Sequence, residues 1–184
     1  FKQKIGSIPL IDYINNVFVL RRAKIKISEN PSFVSEKAVK KYFELLRKSS
    51  FYVEYGSGGS TIAAAKLGKN FASYESSEKF LKLVSKKIIQ LGKFDHQCMD
   101  LKSIYFGPTR TWGIPFPYAL SKFIFRKGMQ KYSNPHWEKT KQFPDLILID
   151  GRFRVACALK AIKSLKYQDN WVIIVDDYLD RQEY

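Results

Sequence analysis

One stretch of eleven residues, FYVEYGSGGST at 51–61, constrains the fold of this chain more than any other part of it. Its first half is aromatic and β-branched, as is typical of a buried strand in a parallel sheet. Four small residues follow, and their glycines allow the backbone to turn with positive φ and to approach a ligand closely. Ser60 or Thr61 can then cap a helix that ends at Gly68. Strand, glycine turn and capped helix together predict a nucleotide-binding α/β fold.

The details of the turn distinguish between classes of nucleotide. A dinucleotide-binding fingerprint would require glycine at the position of Thr61, and the sequence of a phosphate-binding P-loop is absent. Glu54 precedes the first glycine by two residues, where an acid suits a cationic ligand with an amino acid group better than it suits a pyrophosphate. The residues predicted to contact such a ligand are Glu54, Gly56, Ser57, Gly58, Gly59 and Ser60.

The motif E-Y-G-S-G-G-S resembles motif I of the class I S-adenosylmethionine-dependent methyltransferases. That family usually has a further glycine where Ser60 stands, so the helix is expected to pack slightly less tightly on the strand. The resemblance covers residues 51–177 and implies S-adenosyl-L-methionine as the cofactor. It also implies a doubly wound, mostly parallel α/β sheet of strand order 3-2-1-4-5 with helices on both faces. The family normally adds two more strands after this point, so the C-terminal strands are expected to be truncated or missing.

The composition predicts one globular domain, since 45% of the 184 residues are hydrophobic. No apolar run approaches the roughly 20 residues that span a membrane, and no signal peptide is legible. Cys98 and Cys157 provide neither a disulfide framework nor a zinc site, so a cytoplasmic protein is expected. The predicted parts are an N-terminal helical lead-in (1–50), a cofactor-binding half (51–102), an insertion or lid (103–144) and a substrate-side half (145–184).

The net charge of +15 leaves nucleic acid open as a partner. Only 8 of the 32 basic residues are arginine, however, whereas proteins that read phosphates and bases rely on the arginine fork. The lysines are also spread along predicted helix faces. A small or medium acceptor is therefore favoured, and an RNA methyltransferase or a non-catalytic basic binding module is the alternative.

Two further acids are candidates for cofactor binding. Residues 71–75 read as the second strand, which ends in Glu75, 19 residues past Gly56. An acid at that edge can accept hydrogen bonds from both ribose hydroxyls. Residues 94–99 read as a weaker third strand, and the family resemblance places Asp100, which follows it, against the adenine amino group.

Residues 103–144 are too long for a simple connection between a strand and a helix. A basic, aromatic helix is predicted at about 118–130. The insertion could be a lid over the substrate, a patch for an anionic surface or a partner interface. The lid is favoured because the insertion lies between the third and fourth predicted strands. Its candidate substrate contacts are Trp112, Phe116, Tyr118, His136 and Trp137.

Acids also follow the fourth and fifth predicted strands. Asp150 directly follows the fourth strand (145–149), and Asp176 and Asp177 directly follow the fifth (171–175). The carboxyl ends of parallel strands meet at one edge of the sheet, so these acids are expected to lie near the cofactor. The pattern resembles the small metal-dependent O-methyltransferases, in which such acids hold Mg²⁺, Mn²⁺ or Ca²⁺. That resemblance implies a cation that binds a substrate oxygen and lowers its pKa.

Two arginines offer a different partner for these acids. Arg152 or Arg154 can pair with Asp150, or can hold a phosphate or carboxylate of the substrate near a helix N-terminus. A tethered arginine is always charged, so no stoichiometric metal is expected in the resting protein; a cation at Asp150, Asp176 and Asp177 would arrive only with a chelating substrate. The predicted catalytic residue is Asp150. The predicted substrate contacts are Arg152, Arg154, Trp112, Asp176 and Asp177. The sequence thus predicts a methyltransferase that acts at an oxygen.

Overall fold

The computed structural model describes residues 27–33, 35–92, 96–106, 122–139 and 141–178 of the chain. Trp112, Phe116 and Tyr118 lie outside these residues, so their predicted contacts with a substrate stay predictions. No helix in the described ranges is long and apolar enough to cross a membrane.

Five strands of the described part form one parallel sheet in the order β3-β2-β1-β4-β5. Tyr55 of the central strand pairs with Tyr74 on one side and with Ile149 on the other. The predicted order 3-2-1-4-5 is confirmed. The strands are β1 (Tyr52–Tyr55), β2 (Phe71–Glu75), β3 (Met99–Ser103), β4 (Leu146–Ile149) and β5 (Val172–Val175).

Helices cover both faces of the sheet, as predicted. Ser35 and Ser77 cap two of them, since each side chain accepts a hydrogen bond from a backbone N–H of the first turn. Two short 3₁₀ turns, His96–Cys98 and His136–Lys139, precede β3 and β4. The helices are α1 (Glu36–Lys48), α2 (Gly59–Lys66), α3 (Glu78–Gln90), α4 (Lys122–Tyr132) and α5 (Arg154–Leu165).

The alternation of side chains along the central strands builds two hydrophobic cores. Val53 and Tyr55 point to the face covered by α4 and α5, where they pack among residues such as Ile147, Tyr132 and Trp137. Tyr52, which precedes Val53, packs in a second cluster on the opposite face, with residues of α1, α2 and α3. All four residues of β1 are buried, because this strand lies in the middle of the sheet.

Three predicted boundaries are corrected by the structure. The third strand occupies Met99–Ser103 rather than 94–99, because MDLKS alternates apolar and polar residues as an edge strand does. The first helix after the glycine turn begins at Gly59, with Gly58 as its N-cap, so Ser60 and Thr61 lie in its first turn. The helix of the insertion runs to Tyr132, two residues beyond the predicted end.

Candidate active site

The glycine turn between β1 and α2 is fixed to both neighbouring strands. Gly56 has φ +98°, and a Cβ there would lie 2.7 Å from the backbone nitrogen of Gly151, after β4. The N–H of Gly56 donates to the carbonyl of Tyr74 at 2.8 Å, and the N–H of Gly151 donates to the carbonyl of Tyr55 at 2.6 Å. These contacts explain why only glycine suits position 56. They also bring the ends of β1, β2 and β4 together at one edge.

The start of α2 is shaped by contacts that small residues permit. A Cβ at Gly59 would overlap the carbonyl of Asn30, so the segment before α1 packs directly on this turn. At Gly58, by contrast, a Cβ would meet no atom of the described residues within 4 Å. The hydroxyl of Thr61 accepts a hydrogen bond from the N–H of Gly58 at 2.8 Å. The turn therefore packs against other backbone segments at Gly56 and Gly59, and it leaves free space at Gly58.

Glu54 lies beneath the turn and is fully buried. Its carboxylate accepts hydrogen bonds from the hydroxyls of Tyr52 (2.8 Å), Ser60 (2.7 Å), Ser73 (2.7 Å) and Thr61. Burial raises the pKa of Glu54, and these four hydroxyls oppose the rise. The predicted direct contact between Glu54 and a ligand is therefore corrected. With no exposed surface, Glu54 acts on a ligand only through the turn that it holds in place.

Glu75 lies at the carboxyl end of β2, beside the turn. Its Oε2 accepts a hydrogen bond from the N–H of Ser57 at 3.0 Å. Its Oε1 accepts from the N–H of Ser77 at 2.8 Å and from the hydroxyl of Ser76 at 2.9 Å. Two residues that the sequence predicted to bind the cofactor, Ser57 and Glu75, are thus in direct contact. The role of Glu75 towards a ribose stays a prediction.

Asp100 is not at the edge where the sequence placed it. It is the second residue of β3, pairs with Ala72, and forms an ion pair with Lys102. Three residues separate it from the end of the strand, a distance of about 10 Å. The strand end assumed at Met99 is therefore corrected, whereas the contact of Asp100 with adenine stays a prediction. Tyr105, two residues past the end of β3, is an exposed aromatic residue (65%) that the sequence analysis missed because it placed the strand too early.

The structure brings together the three acids that follow β4 and β5. One carboxylate oxygen from each of Asp150, Asp176 and Asp177 lies within 4.8 Å of the others. Partial burial and the neighbouring Asp176 raise the pKa of Asp150 to about 7, although Arg154 opposes the rise. The side chain of Asp150 is 42% exposed, so it is accessible from solvent. A carboxyl with such a pKa can exchange a proton with a ligand near neutral pH.

Arg154 lies among these acids and is only 4% exposed. Its Nη2 donates to Oδ1 of Asp150 at 3.0 Å and to the carbonyl of the same residue at 2.9 Å. Its Nη1 donates to the carbonyl of Asp176 and lies 3.3 Å from Oδ2 of Asp177. Its Nε donates to the carbonyl of Gly151 at 3.1 Å. All three nitrogens are engaged within the chain, so the predicted contact between Arg154 and a substrate is corrected.

The edge also contains aromatic residues that the sequence analysis did not identify as part of a site. The hydroxyl of Tyr132, at the end of α4, would lie only 2.1 Å from a Cβ on Gly151, and it lies 3.4 Å from the carbonyl of Tyr74. Phe153 packs against Phe106 and Tyr132, with ring centroids 4.8 and 6.1 Å away. The aromatic content of the insertion was the only signal for this arrangement. The last residue of α4, Tyr132, thus packs against Gly151, which follows Asp150. Half-buried Arg152 lies in the same turn.

Comparisons with known proteins give one result that bears on this site. The chain is similar to the crystal structure of a methyltransferase-like protein from Silicibacter pomeroyi DSS-3, with a TM-score of 0.64 and 27% sequence identity. The similarity covers 84% of this chain and 77% of that protein. No protein-family model and no curated protein matches the sequence.

Proposed function

Since the chain has the class I methyltransferase fold, we propose that it is an S-adenosyl-L-methionine-dependent methyltransferase that acts at an oxygen of a small or medium acceptor. The observation that carries this proposal is the convergence of the glycine turn, Glu75 and Asp150 at one edge of the sheet. Ligands of open α/β sheets bind outside the carboxyl ends of the strands, where these residues lie.

On the cofactor side, the open position at Gly58 gives a ligand access to the backbone of the turn. Glu75 has acceptor capacity left on Oε2, which receives one described hydrogen bond, and it would bind the ribose hydroxyls. Tyr105 would lie beside the adenine base of the cofactor. The bound cofactor supplies a methyl group that its sulfonium has already activated, so the protein contributes mainly by positioning.

On the acceptor side, Asp150 is the proposed general base. Asp150 would accept the hydroxyl proton of the acceptor, so that the acceptor oxygen could take up the methyl group that the cofactor would supply. Its raised pKa suits this role, because a base works best when its pKa is near the working pH. Arg154 holds Oδ1 of Asp150 and so fixes the orientation of the carboxylate.

A second candidate function is favoured by the helices next to this edge. Helices α4 and α5 contain no acidic residue. The four basic residues of α4 are Lys122, Arg126, Lys127 and Lys131. The C-terminus of α4 and the N-terminus of α5 both reach the edge through Tyr132 and Arg154. Such a basic border suits an anionic acceptor, so RNA methylation or RNA binding without catalysis is the alternative.

Labelled methyl transfer tests the function and separates the two candidates. The protein is incubated with S-adenosylmethionine labelled in its methyl group, together with a metabolite extract or with RNA. We expect label in small molecules, and we expect Asp150→Asn to reduce transfer by about 10²-fold or more with little change in cofactor affinity. Label found in RNA would move the alternative ahead. Full transfer by Asp150→Asn would contradict the assignment of the base.

A further inference from the structure

The acidic edge already contains a cation that belongs to the chain. Taken alone, Asp150, Asp176 and Asp177 are a donor set that fits a divalent ion with oxygen ligands. The guanidinium of Arg154 lies between them, with ion pairs of 3.0 Å to Asp150 and 3.3 Å to Asp177. A divalent ion bound to the same carboxylates would be held next to this buried positive charge. The donor set in its actual surroundings therefore does not fit a resident metal.

Arg154 cannot leave this position as a surface arginine could. It is anchored by three backbone carbonyls, those of Asp150, Gly151 and Asp176, in addition to its two ion pairs. These carbonyls belong to the segments that follow β4 and β5, so one side chain joins the ends of two strands. Withdrawal of Arg154 would leave these part-buried acceptors without the donors that they have here, at a cost for each.

The backbone near Arg154 supports the same conclusion. Phe153 and Asp177 have φ of 55° and 53°, in the left-handed region that residues other than glycine adopt at an energetic cost. Such conformations persist where the surrounding structure imposes them, and they concentrate at functional sites. Phe153 directly precedes Arg154, and Asp177 is its ion-pair partner. Arg154 thus stabilises both strained segments at the edge.

We propose that Arg154 is the resident cation of the active edge: it takes the place of a divalent metal, positions Asp150 and conceals a metal site that its removal would open. The positioning role rests on the proposed function of Asp150, whereas the concealed site does not. Arg154 is a positioning residue, because it acts on the acceptor only through Asp150.

Binding of Mn²⁺ alone to the full chain, followed by electron paramagnetic resonance, tests this proposal. We expect the native protein to bind no stoichiometric Mn²⁺. Arg154→Met keeps an unbranched apolar side chain and removes the charge. This variant is expected to gain one Mn²⁺ site that binds at least about tenfold more tightly than the native protein does, and Mn²⁺ is expected to raise its melting temperature. Arg154→Lys retains a charge and is expected to behave as the native protein does. Addition of Asp177→Asn to Arg154→Met is expected to weaken the new site.

Stoichiometric Mn²⁺ binding by the native protein would overturn the proposal, and this measurement needs no variant to fold. A folded Arg154→Met protein that gains no site would overturn it as well. Calorimetry with S-adenosylhomocysteine on the same native sample, with and without chelator, keeps the two proposals apart. Failure to bind S-adenosylhomocysteine would contradict the proposed function alone, whereas Mn²⁺ binding with intact cofactor affinity would contradict only the role of Arg154.

Discussion

Glu54 and Glu75 both lie next to the glycine turn, but only Glu75, at 9% exposure, retains accessible surface. Glu54 is sealed beneath the turn by four hydroxyls from β1, β2 and α2. Glu75 contacts the turn from the end of β2 and lies at the edge. The sequence could place both acids at strand ends. It could not show that Ser73, on a neighbouring strand, would help to close Glu54 off, because that contact depends on register between strands.

Replacement of Glu75 tests the ribose site. Glu75→Ala is expected to weaken binding of S-adenosylhomocysteine by about 1–3 kcal/mol, because hydrogen bonds to a charged acceptor are lost. Glu75→Gln keeps one acceptor oxygen and is expected to lose less. Glu78→Ala, nearby at the exposed start of α3, is the matched control and should bind normally. Unchanged affinity in Glu75→Ala, measured by calorimetry, would show that the ribose binds elsewhere.

The pH dependence of stability tests the environment of Asp150. Partial burial and Asp176 raise the pKa of Asp150 from 3.8 to about 7 in the folded protein, so folding favours the protonated form. Its contribution to stability is therefore complete below pH 3.8 and is lost as the pH rises through about 7. The melting temperature of the native protein should fall over this window relative to that of Asp150→Asn. Melting temperatures of the two proteins that change in parallel with pH would contradict this account. Asp100→Asn, at a side chain that is 46% exposed, serves as the control.

At the scale of elements, the sequence predicted the strands that are most deeply buried. β1, β2 and β4 are short and mostly apolar, so their positions could be predicted, whereas the strand order was implied by the resemblance to class I methyltransferases. β3 was misplaced because an edge strand with one polar face gives a weaker signal. The meeting of the strand-end acids followed from parallel topology alone. The sequence predicted that Arg154 could pair with Asp150, as it does. It could not predict the hydrogen bond from Arg154 to the carbonyl of Asp176, 22 residues away.

The anchoring of α4 is open to test at its last residue. Tyr132 is buried between Tyr55, Phe106 and Phe153 and lies against Gly151. Tyr132→Ala is expected to reduce the free energy of unfolding by about 3–5 kcal/mol, because a large aromatic side chain leaves a cavity. Chemical denaturation measures this change. Tyr105→Ala, at an exposed aromatic residue, is the control and should cost little; equal losses in the two variants would contradict the anchoring role.

The molecule as a whole combines a basic charge with an acidic active edge. The net charge is +15, yet Asp150, Asp176, Asp177 and Glu75 converge at the carboxyl end of the sheet. Negative charge at this edge is compatible with a ligand that carries a sulfonium and an ammonium group. The side chains of Arg126, Lys127 and Lys131 in α4 instead suit an anionic acceptor. Cofactor binding is therefore the property that the fold and the site support together, whichever acceptor is used.

Calorimetric titration with S-adenosylhomocysteine and with NAD tests this central claim most directly, when native protein and Gly58→Val are compared. A Cβ at Gly58 would meet no atom of the described residues within 4 Å, so the variant is expected to fold, and its melting temperature is measured as a check. We predict that the native protein binds S-adenosylhomocysteine and binds NAD poorly, and that Gly58→Val loses this affinity because the ligand can no longer approach the turn. Tighter binding of NAD than of S-adenosylhomocysteine by the native protein would contradict the account.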